Sequence, residues 1–523
     1  MAYDYIVVGA GSAGCVLASR LSEDPSVTVL LLEAGPPDTK REIGVPAAFS
    51  DLQKSEVDWA YYTTPQPELE GRQIFWPRGR TLGGSSSINA MIYMRGNPAD
   101  YDGWERLGNE GWSWPEVLPY FKRSEHNERI GGDLHGRGGP LNVADPRYRN
   151  PMTDAFIRSG ESVGLPLNAD FNGAGQEGIG AVQVTQKGGK RWSTASAFLK
   201  PVLHRKNLTV LTRALAHRVS IEQQRAVGVE FKQGGVQRSE RATREVILAG
   251  GAINSPQLLL LSGIGPAADL TGLGIQPLLD LPGVGHNLQD HLTAGLFYAA
   301  SKPVSLLNAR SKRALVQYLL RGQGMLTSPV LEATGFVRSR PELEAPDLQL
   351  GFGPVIYDPE GELPEGVHGF SIGIFLLQPK SRGWLTLASA DPAQAPLIEP
   401  RYLTDPGGDD LKACLWGLDL VRRMAESAAF DEFRAERLEP AEGVSLEAHL
   451  RHRASTIYHP VGTCRMGSDR LAVVDDQLRV RGIDGLRVVD ASVMPVVPRG
   501  NTNAPVIMIA EKASDLIRGH ALR

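Results

Sequence analysis

Tyr3–Val8 (YDYIVV) runs straight into Gly9-Ala10-Gly11-Ser12-Ala13-Gly14, and Val27–Leu32 (VTVLLL) ends at Glu33. An apolar run of strand length, a GxGxxG turn, a helical pattern through Val16, Leu17 and Leu21, and a second apolar run make a strand–helix–strand unit of about 30 residues. Each glycine has a task in such a unit. Gly9 allows the tight turn, Gly11 lets the backbone approach a pyrophosphate, and Gly14 lets helix and strand pack closely. The helix N-terminus offers N–H groups and partial positive charge to phosphates, and Glu33 can accept from ribose hydroxyls. A glycine turn with no ligand is the alternative, but the context favours a bound dinucleotide. The motif does not separate flavin from nicotinamide.

At 523 residues the chain exceeds one average domain, so two are expected. Basic and acidic side chains, 55 and 59, are well mixed and leave a net charge of −4. No basic stripe points to nucleic acid, and no polybasic tail points to an anionic membrane. Cys15, Cys414 and Cys464 form no CxxC pair, which argues against a disulfide framework or zinc site and suits a reducing compartment. No basic segment precedes the first apolar run, and the long apolar stretch Val246–Ile264 is broken by Asn254, Pro256 and glycines. The expectation is a cytoplasmic protein without a transmembrane segment, peripheral attachment to a membrane being left open.

Three further segments carry unusual patterns. Gly79–Asn89 (GRTLGGSSSIN) is a bare-backbone, hydroxyl-rich loop, readable as a linker were it not flanked by Trp76, Ile88, Met91, Ile92 and Tyr93. Gly251–Gly265 (GAINSPQLLLLSGIG) is a strand-to-helix turn followed by an apolar helix. The tail holds YHPVGTCRMG at Tyr458–Gly467, VVDASVMP at Val488–Pro495, and GNTNAP at Gly500–Pro505. Leu411–Met424 reads as an amphipathic helix, Leu486–Asp490 as a last buried strand, and Val506–Ile517 as a closing helix.

Together these segments resemble the glucose–methanol–choline oxidoreductases, FAD-dependent oxidisers of alcohols. Gly79–Asn89 matches the family's first signature (GRxLGGSSxxN), Gly251–Gly265 its second (GAxxSPxLLxxSGIG), and the tail its HPxGTxRMG and NTNxP regions. HGRGGPL at His135–Leu141, GVGHNLQDH at Gly283–His291 and SRGWLTL at Ser381–Leu387 extend the resemblance over nearly the whole chain.

The resemblance implies an α/β protein, α+β overall. A Rossmann-like FAD-binding domain would come from residues 1–150, 205–300 and 455–523, with a flavin-covering loop region at about 40–110. A sheet-based substrate domain would come from 151–204 and 301–454. FAD would be held by Gly9, Gly11, Ser12, Ala13, Gly14, Glu33 and Ala34, by Arg80, Gly83, Gly84, Ser85 and Asn89, by Val219 near the adenine, and by Asp490, Ala491, Asn501 and Thr502. Ile88 stands where some relatives carry a histidine bonded to FAD, so a non-covalent cofactor is expected.

His459 aligns with the family's catalytic histidine and Asn503 with its partner. A primary alcohol would become an aldehyde, His459 taking the hydroxyl proton and flavin N5 the hydride. Asn503 would hold the same oxygen without titrating. No metal is expected, because His286, Asp290 and His291 fit a family loop of structural character. Choline and neutral aliphatic or aromatic alcohols are the candidate substrates, with Glu332, Gln378 and Ile457 near them. Gln378 departs from a choline-pocket histidine. Trp59, Tyr61, Trp76 and Tyr357 could serve a trimethylammonium group. The acceptor is a quinone-like molecule or O2, and the sequence leaves the oligomeric state open. The alternatives are hydroxynitrile cleavage without redox chemistry and a non-catalytic flavin-binding protein.

Overall fold

A computed structural model describes residues 2–358, 363 and 366–519. Its first sheet orders the strands Leu208–Leu211, Val29–Leu32, Ala2–Val8, Val236–Leu248 and Leu486–Val488, all parallel. The central strands are covered on both faces, which is why they read as unbroken apolar runs. The helix Ser12–Leu21 lies over this sheet, with the closing helix Asn503–Arg518 packed on it. A Cβ at Gly14 would sit 1.8 Å from the Gly9 carbonyl oxygen, so only glycine permits this helix–strand approach. The first half of Val236–Leu248 instead pairs antiparallel with Arg225–Gln233, which pairs with Ala214–Glu222.

The second sheet is antiparallel, in the order Arg434–Glu439, Leu292–Ala300, Gly369–Leu376, Leu348–Gly353, Ala333–Val337, Gly178–Ala181. One face packs under the helices Pro151–Ser162 and Asp409–Ala425: Phe156 stacks on Phe352, and Gly417 lets the second helix close on Leu348 and Ile374. Alternate positions on the other face, Gly351, Gly353, Ser371, Gly373 and Phe375, look into the interior cavity.

Leu292–Ala300, from the stretch expected on the dinucleotide side, belongs to this second sheet, and Ser455–Thr456 pairs with its start. Strand periodicity marks a strand without naming its neighbours. The closing helix begins at Asn503, inside the Asn-Thr-Asn-Ala-Pro turn and three residues before the apolar pattern suggests. Pro505 is tolerated because a first-turn N–H has no intrahelical acceptor.

Candidate active site

Between the sheets lies a cavity of about 450 Å³ that runs from Glu33 to His459. Its first end sits at the carboxyl ends of the parallel strands, where Val8, Leu32 and Leu248 stop level with one another. Gly9, Gly11, Ser12, Ala13, Glu33, Ala34, Gly84, Ser85 and Asn89 form its wall. A Cβ at Gly84 would lie 2.7 Å from the Cα of Gly11, so the two glycine loops meet backbone to backbone. The Gly83 N–H donates to the Ala10 carbonyl (2.7 Å) and pins the second loop onto the first. Gly83 and Gly14 thus shape the wall from behind.

Glu33 accepts from the N–H groups of Ala10 (2.9 Å) and Gly35 (2.8 Å), and burial pushes its carboxyl up to about 7. Arg80 stacks its guanidinium 4.9 Å over Trp59, and Trp59 rather than Arg80 lines the cavity. Val219 is turned away. Its N–H donates to Ser262 Oγ (2.9 Å), and Ala214–Ala216 of the same strand line the wall instead.

At the other end the cavity is closed by His459, Asn501, Thr502, Asn503, Asp490 and Ala491. The His459 backbone N–H donates to Asp290 Oδ1 (2.8 Å), and Asp290 Oδ2 accepts from the hydroxyls of Thr456 and Tyr402. Tyr458 takes a positive φ of 70°, and its carbonyl accepts from Arg78 Nη2 (2.6 Å). The turn thereby presents the imidazole from a fixed backbone.

The protons on that imidazole follow from its neighbours. His291 Nε2 lies 3.1 Å from the Leu377 carbonyl, which can only accept, so Nε2 carries the hydrogen. Burial lowers His291 to about 3 and keeps the ring neutral, which leaves a lone pair on Nδ1. His459 Nδ1 is 2.9 Å from that lone pair and donates to it. Burial first, then His291 and Arg78, hold His459 well below the ordinary histidine range, so its ring is neutral as well. The remaining lone pair is on Nε2, where Asn501 Nδ2–H donates at 3.2 Å.

Asn501, rather than Asn503, is therefore the amide beside His459. Asn503 Oδ1 accepts from Ser12 Oγ (2.7 Å), tying the start of the closing helix to the first glycine turn. The helical stagger turns Asn501 and Asn503 in different directions from one turn. Asp290, His291 and Arg78 carried no functional expectation. The signal for them was two adjacent titratable residues in a loop rich in Gly and Asn. His286 is exposed, whereas His291 is buried.

Ile457 lines the cavity, whereas Glu332 and Gln378 do not. Glu332 is buried outside it and accepts from the Asn150 N–H (2.7 Å), Thr153 Oγ1 (2.6 Å) and Ser328 Oγ (2.6 Å). Three donors anchor this carboxylate as a brace between a helix start and a strand. The Gln378 amide donates to the Val497 carbonyl (2.8 Å).

Three observations fit a dinucleotide in the cavity. The helices Ser12–Leu21 and Asn503–Arg518 both open on it with no acidic residue in the first turn and no side-chain cap. Side chains at Gly9, Gly14 and Gly84 would collide with backbone, so the wall there is bare main chain. Asn501, on the cavity wall, keeps a buried Oδ1 without a hydrogen-bond partner. Ile88 lines the wall and offers no nucleophile for a covalent link.

Comparison with known proteins agrees with this geometry. Family models described as GMC oxidoreductase match residues 3–293 and 379–510. An alcohol dehydrogenase [acceptor] of Pseudomonas putida is 47% identical, over 98% of this chain and 95% of its own length. The mitochondrial choline dehydrogenase of Mus musculus is 45% identical, over 99% and 90%. Among solved structures, the pyridoxine 4-oxidase from Mesorbium loti superposes with a TM-score of 0.91 at 34% identity, over 99% of both chains.

Proposed function

Because the chain belongs to the GMC oxidoreductase family, FAD-dependent enzymes acting on CH–OH donors, we propose that it oxidises a neutral primary alcohol to the aldehyde with His459 as base. The observation that carries this reading is the relay from the Leu377 carbonyl through His291 to His459, which leaves a lone pair on Nε2 at the cavity wall. Bound FAD supplies the hydride acceptor for the carbinol C–H. His459 Nε2 takes the hydroxyl proton, and its Nδ1–H bond to His291 keeps the ring aimed while it becomes charged. The alcohol hydroxyl displaces the Asn501 N–H from Nε2, and the freed Asn501 Nδ2–H holds the same oxygen as negative charge develops on it.

The first-turn N–H groups after Gly11 would hold the pyrophosphate, and Glu33 the ribose. The start of the closing helix, at Thr502 and Asn503, faces the reacting end and favours negative charge there. FAD is held without a covalent bond, since Ile88 stands at the wall.

The substrate end favours a neutral, apolar alcohol. Phe49, Leu331, Phe375 and Ile457 line the cavity, and the one carboxylate considered for a cation, Glu332, lies behind the wall under three donors. Asp358 reaches the cavity paired with Arg453 at 3.0 Å.

The test is anaerobic stopped-flow absorbance of the FAD-loaded protein with choline, a medium-chain alkanol and a benzylic alcohol in turn. Bleaching by the neutral alcohols is expected. Bleaching by choline alone would overturn the substrate assignment, and no bleaching with mandelonitrile cleaved instead would overturn the redox assignment.

A further inference from the structure

The helix Lys312–Arg321 is built inside out. Ser311 caps its start, accepting from the Ala314 N–H, and Gly322 ends it in the left-handed conformation. Ala314 and Tyr318, four residues apart, are the positions it buries against the protein. The next two positions of each turn, Leu315 with Val316 and Leu319 with Leu320, face outward. Leu319 is 70% and Leu320 80% exposed, the two highest values for a large apolar side chain among the described residues. Elsewhere such side chains are exposed singly; here four share one ten-residue helix.

Charge is segregated in the same place. From Ser301 to Leu331 the chain has Lys302, Arg310, Lys312, Arg313 and Arg321 and no acidic residue, although its overall charge is negative. Arg310, Lys312, Arg313 and Arg321 are exposed on or next to this helix, Arg310 lying 4.0 Å from Asp51. Counting charge over the whole chain hid this local block.

We propose that this helix docks the protein on an anionic lipid surface. Ten residues span about 15 Å, half the thickness of a hydrocarbon core, so the helix lies in the interface with its leucines inserted and its basic ends at the headgroups. The position serves the cavity. Tyr318 donates its hydroxyl to the Gly44 carbonyl (3.0 Å), and that segment continues to Phe49 and Gln53 on the cavity wall. On its other side the chain runs through Met325–Thr327 to Pro329, Val330 and Leu331, also on the wall. Docking there sets the cavity border beside the bilayer, from which apolar alcohols and lipid-soluble acceptors partition. The proposal does not depend on His459 being the base.

The experiment is flotation of the FAD-loaded protein with vesicles of phosphatidylcholine plus phosphatidylglycerol, and with phosphatidylcholine alone. The protein should float with the anionic vesicles and less with the neutral ones. Leu319→Glu/Leu320→Glu should lower partitioning about a hundredfold or more. Lys312→Gln/Arg313→Gln should lower it about tenfold, with a weaker salt dependence. Both variants alter exposed positions and should keep the parent's FAD content and its flavin reduction by a water-soluble alcohol. Three results would overturn the proposal: no flotation of the parent, flotation of the leucine variant equal to the parent's, or a parent dimer that the leucine variant splits by light scattering while neither floats.

Discussion

The two ends of the cavity are built in opposite ways. The cradle around Gly11 uses backbone: a glycine turn, a helix start and a second glycine loop pressed against it, with Glu33 added by the next strand. The other end uses groups from distant segments, Arg78, Asp290 with His291, the Leu377 carbonyl, His459 and Asn501, joined by hydrogen bonds. A backbone cradle tolerates nothing larger than hydrogen at Gly9, Gly14 and Gly84 but needs no chemistry of its own. A side-chain relay tolerates bulk better and depends on each proton. Substitutions at the first end should therefore cost binding, and those at the second should cost rate.

The largest effect should come from His459→Ala. FAD content stays, and flavin reduction followed by stopped flow slows by about 10²–10⁴-fold. An unchanged rate would break the comparison at its centre. Next, Asn501→Ala should slow reduction by about 10²-fold while Asn503→Ala, acting on the contact with Ser12, chiefly loosens FAD; equal rate losses would merge the two ends. His291→Gln should slow reduction by about tenfold, because one buried hydrogen bond no longer selects the tautomer, and it should add an acid limb to the rate profile that the parent lacks.

His291 also makes a stability claim. Its folded value of about 3 lies below the unfolded value near 6.5, so the unfolded chain binds the proton first. Its contribution is present above pH 6.5 and is lost toward pH 3, by about 1.4 kcal/mol for each pH unit. The urea-unfolding gap between parent and His291→Gln should narrow as pH falls from about 6.5 to about 4. The smallest catalytic effect should come from Glu332→Gln, which weakens three buried hydrogen bonds. It should cost about 1–3 kcal/mol of stability and leave the ratio of choline to alkanol turnover unchanged.

What could be read from the chain follows the same division. The strand, glycine turn, helix and Glu33 are contiguous, and each implies its neighbour's position through local geometry, so that unit was legible in the chain, whereas Arg80 and Val219, expected beside it, stand off the wall. The family motif singled out His459, which stands on the cavity wall. Its partner was not legible, because Asn501 and Asn503 share one turn, and the direction of each side chain is set by where the closing helix begins. His291 read as part of a structural loop because its importance is a contact across 168 residues. Glu332 stood near the expected place in sequence, but it sits just before the strand Ala333–Val337 and its carboxylate turns to Asn150, Thr153 and Ser328 rather than to the cavity.

The sequence by itself determined the strand, glycine turn, helix and second strand that lead to Glu33, since short-range sterics and backbone hydrogen bonding decide such a unit within a few residues. Tertiary structure alone decided which amide meets His459, which nitrogen keeps its lone pair, and which carboxylate stays out of the cavity. Those outcomes rest on distances between segments far apart in the chain, and on the removal of water that leaves a buried histidine neutral.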